Sequence, residues 1–469
     1  MSAPAADRLH THTAADATTG HAAGAAAFLA DGERATWHDQ GLWAMRQRRD
    51  TATALPEWEA LRDAAAALKT HAMSRLADLL EEFERNATAN GVRVHWARDA
   101  REHNDIVLGI LRDAGVTRVS KSKSMLTEEC GLNPHLAAHG IEVVDTDLGE
   151  RIVQLADQPP SHIVAPAIHW KREEIGELFH RTLGTPKGET NPDRLTAAAR
   201  RHLRDALLNA GAGLTGANVL VAETGGVVVC TNEGNADLGM HSPPVQIHCA
   251  GIEKLVATRD DLGVLMRMLA RSGTGQPITS YTTHVTRPRA GTAMHVVLVD
   301  NGRTARLADD AMRSALHCIR CGTCLNTCPV YRRSGGYSYG HVIQGPIGAV
   351  LAPAVNLEQH ASLAFASTLC GSCADVCPVR IDLPAQLLEW RRRSAAAGRA
   401  PRGYAALFAV LGRVLANSTL YGIAARLGRI GQRLLPAGAR NPWTRPGRAL
   451  PVIADESFRE WAKREGRIS

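Results

Sequence analysis

Cysteine spacing constrains this chain more than any other feature. The stretch HCIRCGTCLNTCPVY sets Cys318, Cys321, Cys324 and Cys328 ahead of Pro329, a C-x2-C-x2-C-x3-C-P run. Farther on, STLCGSCADVCPVRI repeats the run with Cys370, Cys373, Cys377 and Pro378, but Ser367 stands where a first cysteine would fall. Seven of the ten cysteines lie between 318 and 377. Such crowding suits metal ligation in a reducing compartment rather than a disulfide framework. C-x2-C pairs also build tetrahedral zinc sites, yet three cysteines at two-residue intervals closed by Cys-Pro fit an iron-sulfur cubane better.

In two-cluster ferredoxins the first three thiolates of such a run hold one cubane and the fourth crosses to the other. Applied here, Cys318, Cys321, Cys324 and Cys377 complete cluster 1. Cys328, Cys370 and Cys373 hold cluster 2, which is left one protein ligand short. Three readings of that corner stay open: Ser367 Oγ as an alkoxide ligand, a 3Fe-4S cluster, or a fourth iron carrying water or a group from elsewhere. Two 4Fe-4S-type clusters in one short unit point to electron conduction, against the plainer alternative of one cluster that staples the fold.

At 469 residues the chain exceeds one ordinary core. Residues 1–35, rich in Ala, Thr and His, read as a disordered N-terminus, and 36–90 as a helical lead-in. The apolar run AAGAAAFLA is short and lacks a basic flank, so it does not read as a secretory signal. From 91 to 303 strands alternate with helices: VRVHWA, TRVSKS, IEVVDTD, SHIVAPA, NVLVAE, GVVVCTN, PVQIHCAG and MHVVLVD read as β-runs, predicting an α/β domain on a mixed, mostly parallel sheet. Residues 304–395 form an α-helical iron-sulfur domain, and 396–469 an Arg-rich helical tail. Between Arg391 and Leu450 there are twelve arginines and no Asp, Glu or Lys, more than the whole net charge of +7. That tail suits a helical cap, an acidic partner or an anionic membrane surface. No apolar stretch reaches the length of a spanning helix, which suggests a cytoplasmic protein, peripheral at the inner membrane face at most.

Several stretches carry a resemblance. KSKSMLTEECGLNPHLAAHGIEVVDTDLGERIVQL (121–155), PSHIVAPAIH (160–169), AETGGVVVCTNEGNADL (222–238), GIEKLV (251–256), both cysteine runs and GGYSYGHVIQGPIGAVLAP (335–353) resemble, in order, the lactate-utilisation protein B (LutB/LldF) family. That resemblance implies a LUD domain of NagB/CoA-transferase-like α/β fold followed by a ferredoxin-type two-cluster region. It also implies a role in L-lactate oxidation to pyruvate beside a LutA-like CCG-domain protein and a LutC-like LUD protein. Tyr337 departs from the His that family members typically carry.

Two segments are candidate sites for a small carboxylate. Lys121, Ser122, Lys123 and Ser124 follow a strand and precede a helix, a natural anion receptor, against the plainer reading of a solvated basic loop. Glu223, Thr224, Asn232, Glu233 and Asn235 supply polar groups at strand ends beside Gly225, Gly226 and Gly234, which could equally be mere turn glycines. His169 and His241 are available for acid-base work but read first as structural, and Cys130, Cys230 and Cys249 as inert buried thiols. No G-x-G-x-x-G follows a strand, so no dinucleotide loop is evident, and no nucleic-acid recognition motif is present. Catalytic residues are not legible. The chain therefore reads as an electron-transfer subunit, with a self-sufficient 2-hydroxy acid oxidoreductase and a cluster-based redox sensor as alternatives.

Overall fold

Ten strands occur among the described residues: β1 (Arg93–Ala97), β2 (Arg118–Lys121), β3 (Glu142–Asp145), β4 (Ala212–Gly216), β5 (Val219–Val221), β6 (Gly226–Thr231), β7 (Val245–Gly251), β8 (Leu255–Val256), β9 (Tyr281–Val285) and β10 (Ala293–Val299). They make two sheets rather than one mixed sheet. The larger is wholly parallel, in the order β1-β10-β7-β4-β2-β3. The smaller runs β8-β5-β6-β9, with β5 parallel to β8 and the other pairs antiparallel. Every residue of β7 is buried, as expected of a parallel strand covered on both faces by helices.

The computed structural model describes residues 20–399, 403–434, 444, 449–450 and 454–468, in two units divided after Ser394. In the first unit the lead-in helices, Gly32–Ala52 and Trp58–Ser74, share a core with the cysteine region: Leu42, Trp58, Leu61 and Ala65 pack in one cluster with Cys321, Cys324, Cys328, Cys373 and Cys377. Buried arginines fasten the join. Arg49 Nη2 donates to the Val376 carbonyl at 3.2 Å, and Arg62 donates to the carbonyls of Cys377 (3.0 Å) and Ala374 (3.2 Å). In the second unit, helices Tyr404–Ala416 and Ser418–Leu434 follow one another, and Arg429 bonds the Asp455 carbonyl and Glu460 at the N-terminal turn of Phe458–Arg464.

Three sequence expectations are corrected. Residues 20–35, read as disordered, lie in helices Gly20–Leu29 and Gly32–Ala52; residues 1–19 fall outside the described part. The first of these helices is Ala-rich, which favours helix but hides any apolar periodicity, and it is held by His21 against Tyr339 and Phe28 against His38. SHIVAPA forms no strand: Pro166 removes a ladder donor, and the segment wraps instead around its own His162, whose Nδ1 accepts the Val164 and Ala165 amides. Conversely AGLTG forms β4 although its glycines weaken strand propensity. A Cβ at Gly213 would lie 2.1 Å from the Gly239 carbonyl oxygen, so the helix Asn235–His241 requires glycine there.

Candidate metal centres and the adjoining cavity

The two cysteine runs adopt the same backbone. Arg320 and Leu369, each two residues past the first position of its run, have φ of +60° and +55°, and Gly322 and Gly371 follow at +78° and +86°. Short helices, Thr323–Thr327 and Ser372–Asp375, begin at the matching step. Left-handed φ is costly for a residue with a Cβ, so its recurrence at one step of both runs marks a backbone bent around something. Amides point at sulfur: Arg320 N donates to Cys318 Sγ at 3.4 Å, Tyr331 N to Cys328 Sγ at 3.5 Å and Ile381 N to Cys377 Sγ at 3.4 Å.

The thiols divide into two neighbour sets. Charge on Cys321 would be felt by Cys318 and Cys377, and charge on Cys377 by Cys318, although Cys377 belongs to the second run. Cys373 couples to Cys328 and Cys370. Cys324 couples to Cys318 and Cys321 and also to Cys373, so the sets adjoin there. Burial pushes the Cys373 thiol up to about 12 and Cys377 to about 11, and raises Cys321 and Cys324 further. Five thiols that burial keeps protonated, Cys321, Cys324, Cys328, Cys373 and Cys377, are a poor arrangement by themselves; iron, which binds thiolate, offsets that cost. Donor chemistry, amide-to-sulfur bonds and paired backbone bends fit iron-sulfur clusters. Among the described residues no group of three or more His, Cys, Asp or Glu could hold a single metal ion.

A cavity of about 310 Å³ opens beside the first set. Because β2, β4, β7 and β10 are parallel, their carboxyl ends meet at one edge, and the residues that follow them, Ser122–Ser124, Ala217–Asn218, Glu253–Lys254 and Arg303, line the cavity. Ligands of open α/β sheets bind at such edges. The opposite wall is the cysteine run itself, through Ile319, Arg320 and Cys321.

The two candidate segments are split by the fold. Lys123, Ser124, Asn232, Glu233 and Asn235 come together on the cavity. Lys123 Nζ donates to the Val164 carbonyl at 2.9 Å and lies 3.5 Å from Asp147; Ser124 Oγ caps the helix Met125–Glu129 by accepting the Thr127 amide. Lys121 does not reach it. Its ammonium is buried, 2.6 Å from Asp145, 3.0 Å from Glu128 and 3.8 Å from Glu150. The strand ends at Lys121 and the chain then turns, so side-chain alternation fails to put 121 and 123 on one face. Glu223 and Thr224 also lie elsewhere. Glu223 accepts the Arg259 amide, Thr224 meets His284, and Gly225 abuts Ala87, where a Cβ would lie 2.2 Å from the amide nitrogen; these residues tie the turn to helix Leu76–Ala89.

His169 is buried, with Nδ1 2.6 Å from Ser161 Oγ and Nε2 2.9 Å from the Tyr337 hydroxyl, and burial lowers its pKa to about 3. Tyr337 donates to the Pro159 carbonyl at 2.8 Å, so it works as a brace. His241 ends the helix Asn235–His241 away from the cavity. Cys230 and Cys249 do line the cavity, but burial raises both thiols, Cys230 to about 11; Cys130, pushed to about 12, sits in the apolar core.

Sequence reasoning missed the cavity's main cations. Arg303 binds both oxygens of Glu129 and one of Glu253. Lys254, in the quoted GIEKLV, is half-buried, and its pKa falls to about 8 chiefly through desolvation, with Glu253 opposing. Arg320 lies 4.0 Å from Glu253, and its Nη1 is buried with no hydrogen-bond partner among the described residues. Nothing in a C-x2-C gap signals a left-handed arginine aimed into a cavity.

Comparison with known proteins agrees with this arrangement. A LUD domain matches residues 80–304 and a 4Fe-4S dicluster domain residues 314–381. Lactate utilization protein B of Macrococcus caseolyticus is 40% identical over 444 residues, covering 89% of this chain and 91% of its own length. That of Shouchella clausii is 41% identical over 432 residues, with 87% and 89% covered. The uncharacterized electron transport protein YkgF of Escherichia coli is 39% identical over 425 residues, again with 87% and 89% covered. A solved DUF162 family structure from Deinococcus radiodurans covers 48% of this chain and 98% of its own at 16% identity and a TM-score of 0.26. A mostly parallel LUD domain joined to a ferredoxin-type dicluster defines an iron-sulfur protein of 4Fe-4S type. Within that class, the chain belongs to the lactate utilization protein B family.

Proposed function

We propose that this chain is the electron-transfer subunit of an L-lactate oxidation system, relaying electrons through two clusters as lactate becomes pyruvate. Cys318, Cys321, Cys324 and Cys377 would hold one cluster, and Cys328, Cys370 and Cys373 the other. One observation carries the reading: the first thiol set borders the polar cavity through Cys321, whereas the second reaches the surface at the exposed Cys370. Bound clusters would supply single-electron storage, at potentials tuned by hydrogen bonds to sulfur and by solvent exposure.

The chain's own residues supply the rest. Arg320 and Lys254 offer cationic donors to a carboxylate, Asn232 and Asn235 offer amides, and a cavity of about 310 Å³ has room for a three-carbon acid. Arg303, Arg320 and Lys254 together outweigh Glu129 and Glu253, three positive charges to two, so these acids do not leave the cavity repelling an anion. Cys370 marks the face on which a protein partner could approach, and a LutA-like CCG-domain protein and a LutC-like LUD protein are the partners that the family resemblance implies. With cytoplasmic partners of this kind, lactate should reduce a dye through the reconstituted full chain only when both are present. Dye reduction by the chain alone would favour a self-sufficient LUD oxidoreductase and overturn the relay.

A second reading concerns the tail. Among the described residues no single helix is long and apolar enough to cross a membrane; Ala406–Ala416 and Ser418–Gly431, bent by 111°, reach that length and apolar composition only when taken together. Leu407, Phe408, Leu411 and Leu415 are exposed on the first of them, and the segment's arginines would suit anionic lipid at the inner membrane face. Salt-sensitive flotation of the full chain with anionic liposomes supports that docking; no flotation at low salt opposes it.

A further inference from the structure

The geometry points to Ser367 Oγ as the fourth protein ligand of the second cluster, bound to iron as an alkoxide. This assignment rests on the two-cluster reading and concerns the one corner for which the second run has no cysteine.

Ser367 occupies the position of Cys318 in more than alignment. Cys318 Sγ accepts the amide of Arg320 at 3.4 Å; Ser367 Oγ accepts the amide of Leu369, also two residues on, at 3.1 Å. The shorter distance is that of oxygen in place of the larger sulfur. Between donor and acceptor the chain makes the same left-handed step, +60° at Arg320 and +55° at Leu369, followed by the same glycine step. A serine that merely faced solvent would not require leucine in a strained, left-handed conformation. The shared step gives Ser367 Oγ the same amide partner that the Cys318 thiol has in the first run.

The segment is also held still. Arg391 donates from Nη2 to the Ser367 carbonyl at 2.7 Å and from Nε to the Ala364 carbonyl at 2.8 Å, and its guanidinium lies 5.3 Å from the Phe365 ring centre. One arginine therefore anchors residues 364–367 through their backbone and leaves the Ser367 hydroxyl to its contact with the Leu369 amide. The remaining three cysteines cannot substitute: Cys130, Cys230 and Cys249 lie in or beside the α/β domain.

Ligation would replace the Oγ–H proton by iron. The proton leaves to water at this half-buried edge, where Thr368 and Cys370 are exposed, and no electron changes hands. A hard alkoxide is a weaker partner for cluster iron than a thiolate. This corner should therefore be the first to lose iron under oxidation, and cluster 2 should differ from cluster 1 in spectrum and potential.

The test uses the full chain prepared without oxygen, with iron counting, EPR and Mössbauer spectra. Wild type should hold about eight irons, with one iron subsite of cluster 2 showing oxygen ligation. Ser367→Ala should lose about one iron and gain a three-iron signal, leaving the cluster 1 signal unchanged; Ser367→Cys should keep the full count and shift cluster 2 toward the cluster 1 spectrum. Ser367→Ala with a full iron count and a wild-type spectrum overturns the assignment, as does broadening of the wild-type cluster 2 signal by isotopically labelled water, which would put water at the corner. If Ser367→Ala cannot be purified, the Mössbauer spectrum of wild type decides, four thiolate-ligated subsites in cluster 2 overturning the assignment. A wild-type count of about four irons instead overturns the two-cluster reading beneath it, and the assignment with it.

Discussion

Replacing Arg303 with methionine removes the cation from two buried carboxylates. The guanidinium is 5% exposed and sits 3.0 Å from Glu129 and 2.5 Å from Glu253, whose side chains are 14% and 4% exposed. Glu253 gives the magnitude. Burial drives its pKa up, but Arg303, then Lys254 and Arg320, override burial and hold it at about 2 against 4.5. A carboxyl depressed in this way contributes stability that is present above about pH 4.5 and is lost as pH falls through about 2; the shift corresponds to about 3 kcal/mol at neutral pH. Stranding one member of a buried ion pair costs about 3–5 kcal/mol by a separate route. Arg303→Met should therefore lose about 3–4 kcal/mol in urea unfolding of the anaerobic chain at pH 7. Adding Glu253→Gln should recover part of that loss, because a neutral amide needs no counter-charge. A loss below about 1 kcal/mol, the scale of an exposed pair, or a double variant no more stable than the single one, would refute the argument.

Other perturbations follow from the same geometry. Lys254→Met should weaken pyruvate binding by about tenfold in calorimetry on the full chain, as loss of one charge-assisted contact implies, without changing iron content. Anaerobic removal of iron by a chelator should make Cys370, the exposed thiol, the first of the seven to be alkylated in mass-spectrometric mapping, with Cys321 and Cys324 last because burial keeps them protonated. His248, buried with Nδ1 2.6 Å from Thr215 Oγ1, has its pKa lowered by burial from 6.5 to about 4. The unfolded chain takes up that proton first, so stability should fall as pH drops from about 6.5 to about 4, by up to about 1.4 kcal/mol per pH unit. His248→Asn should flatten that part of the stability-against-pH curve.

Spacing made the cysteine region legible, because cubane ligation demands a fixed interval that few other chemistries require. Alternating valine-rich runs likewise announced β2, β3, β6, β7 and β10. What stayed hidden depends on three-dimensional context. Lys121 and Lys123 look alike in KSKS, yet one is buried among three acids and the other lines the cavity. The turn holding Glu223 and Thr224 and the loop holding Asn232 and Asn235 sit at opposite ends of β5 and β6, a separation that a short stretch of sequence conceals. The long-range contacts that seat Arg49 and Arg62 on the second cysteine run leave no local pattern at all.

The central claim is that each cluster draws ligands from both runs, and low-temperature EPR of the anaerobic Cys377→Ala chain tests it most directly. Cys377 lies in the second run but neighbours Cys318 and Cys321. The signal it removes should be the one that Cys318→Ala removes, with the other cluster's signal intact. Loss of the signal that Cys370→Ala removes would contradict the account.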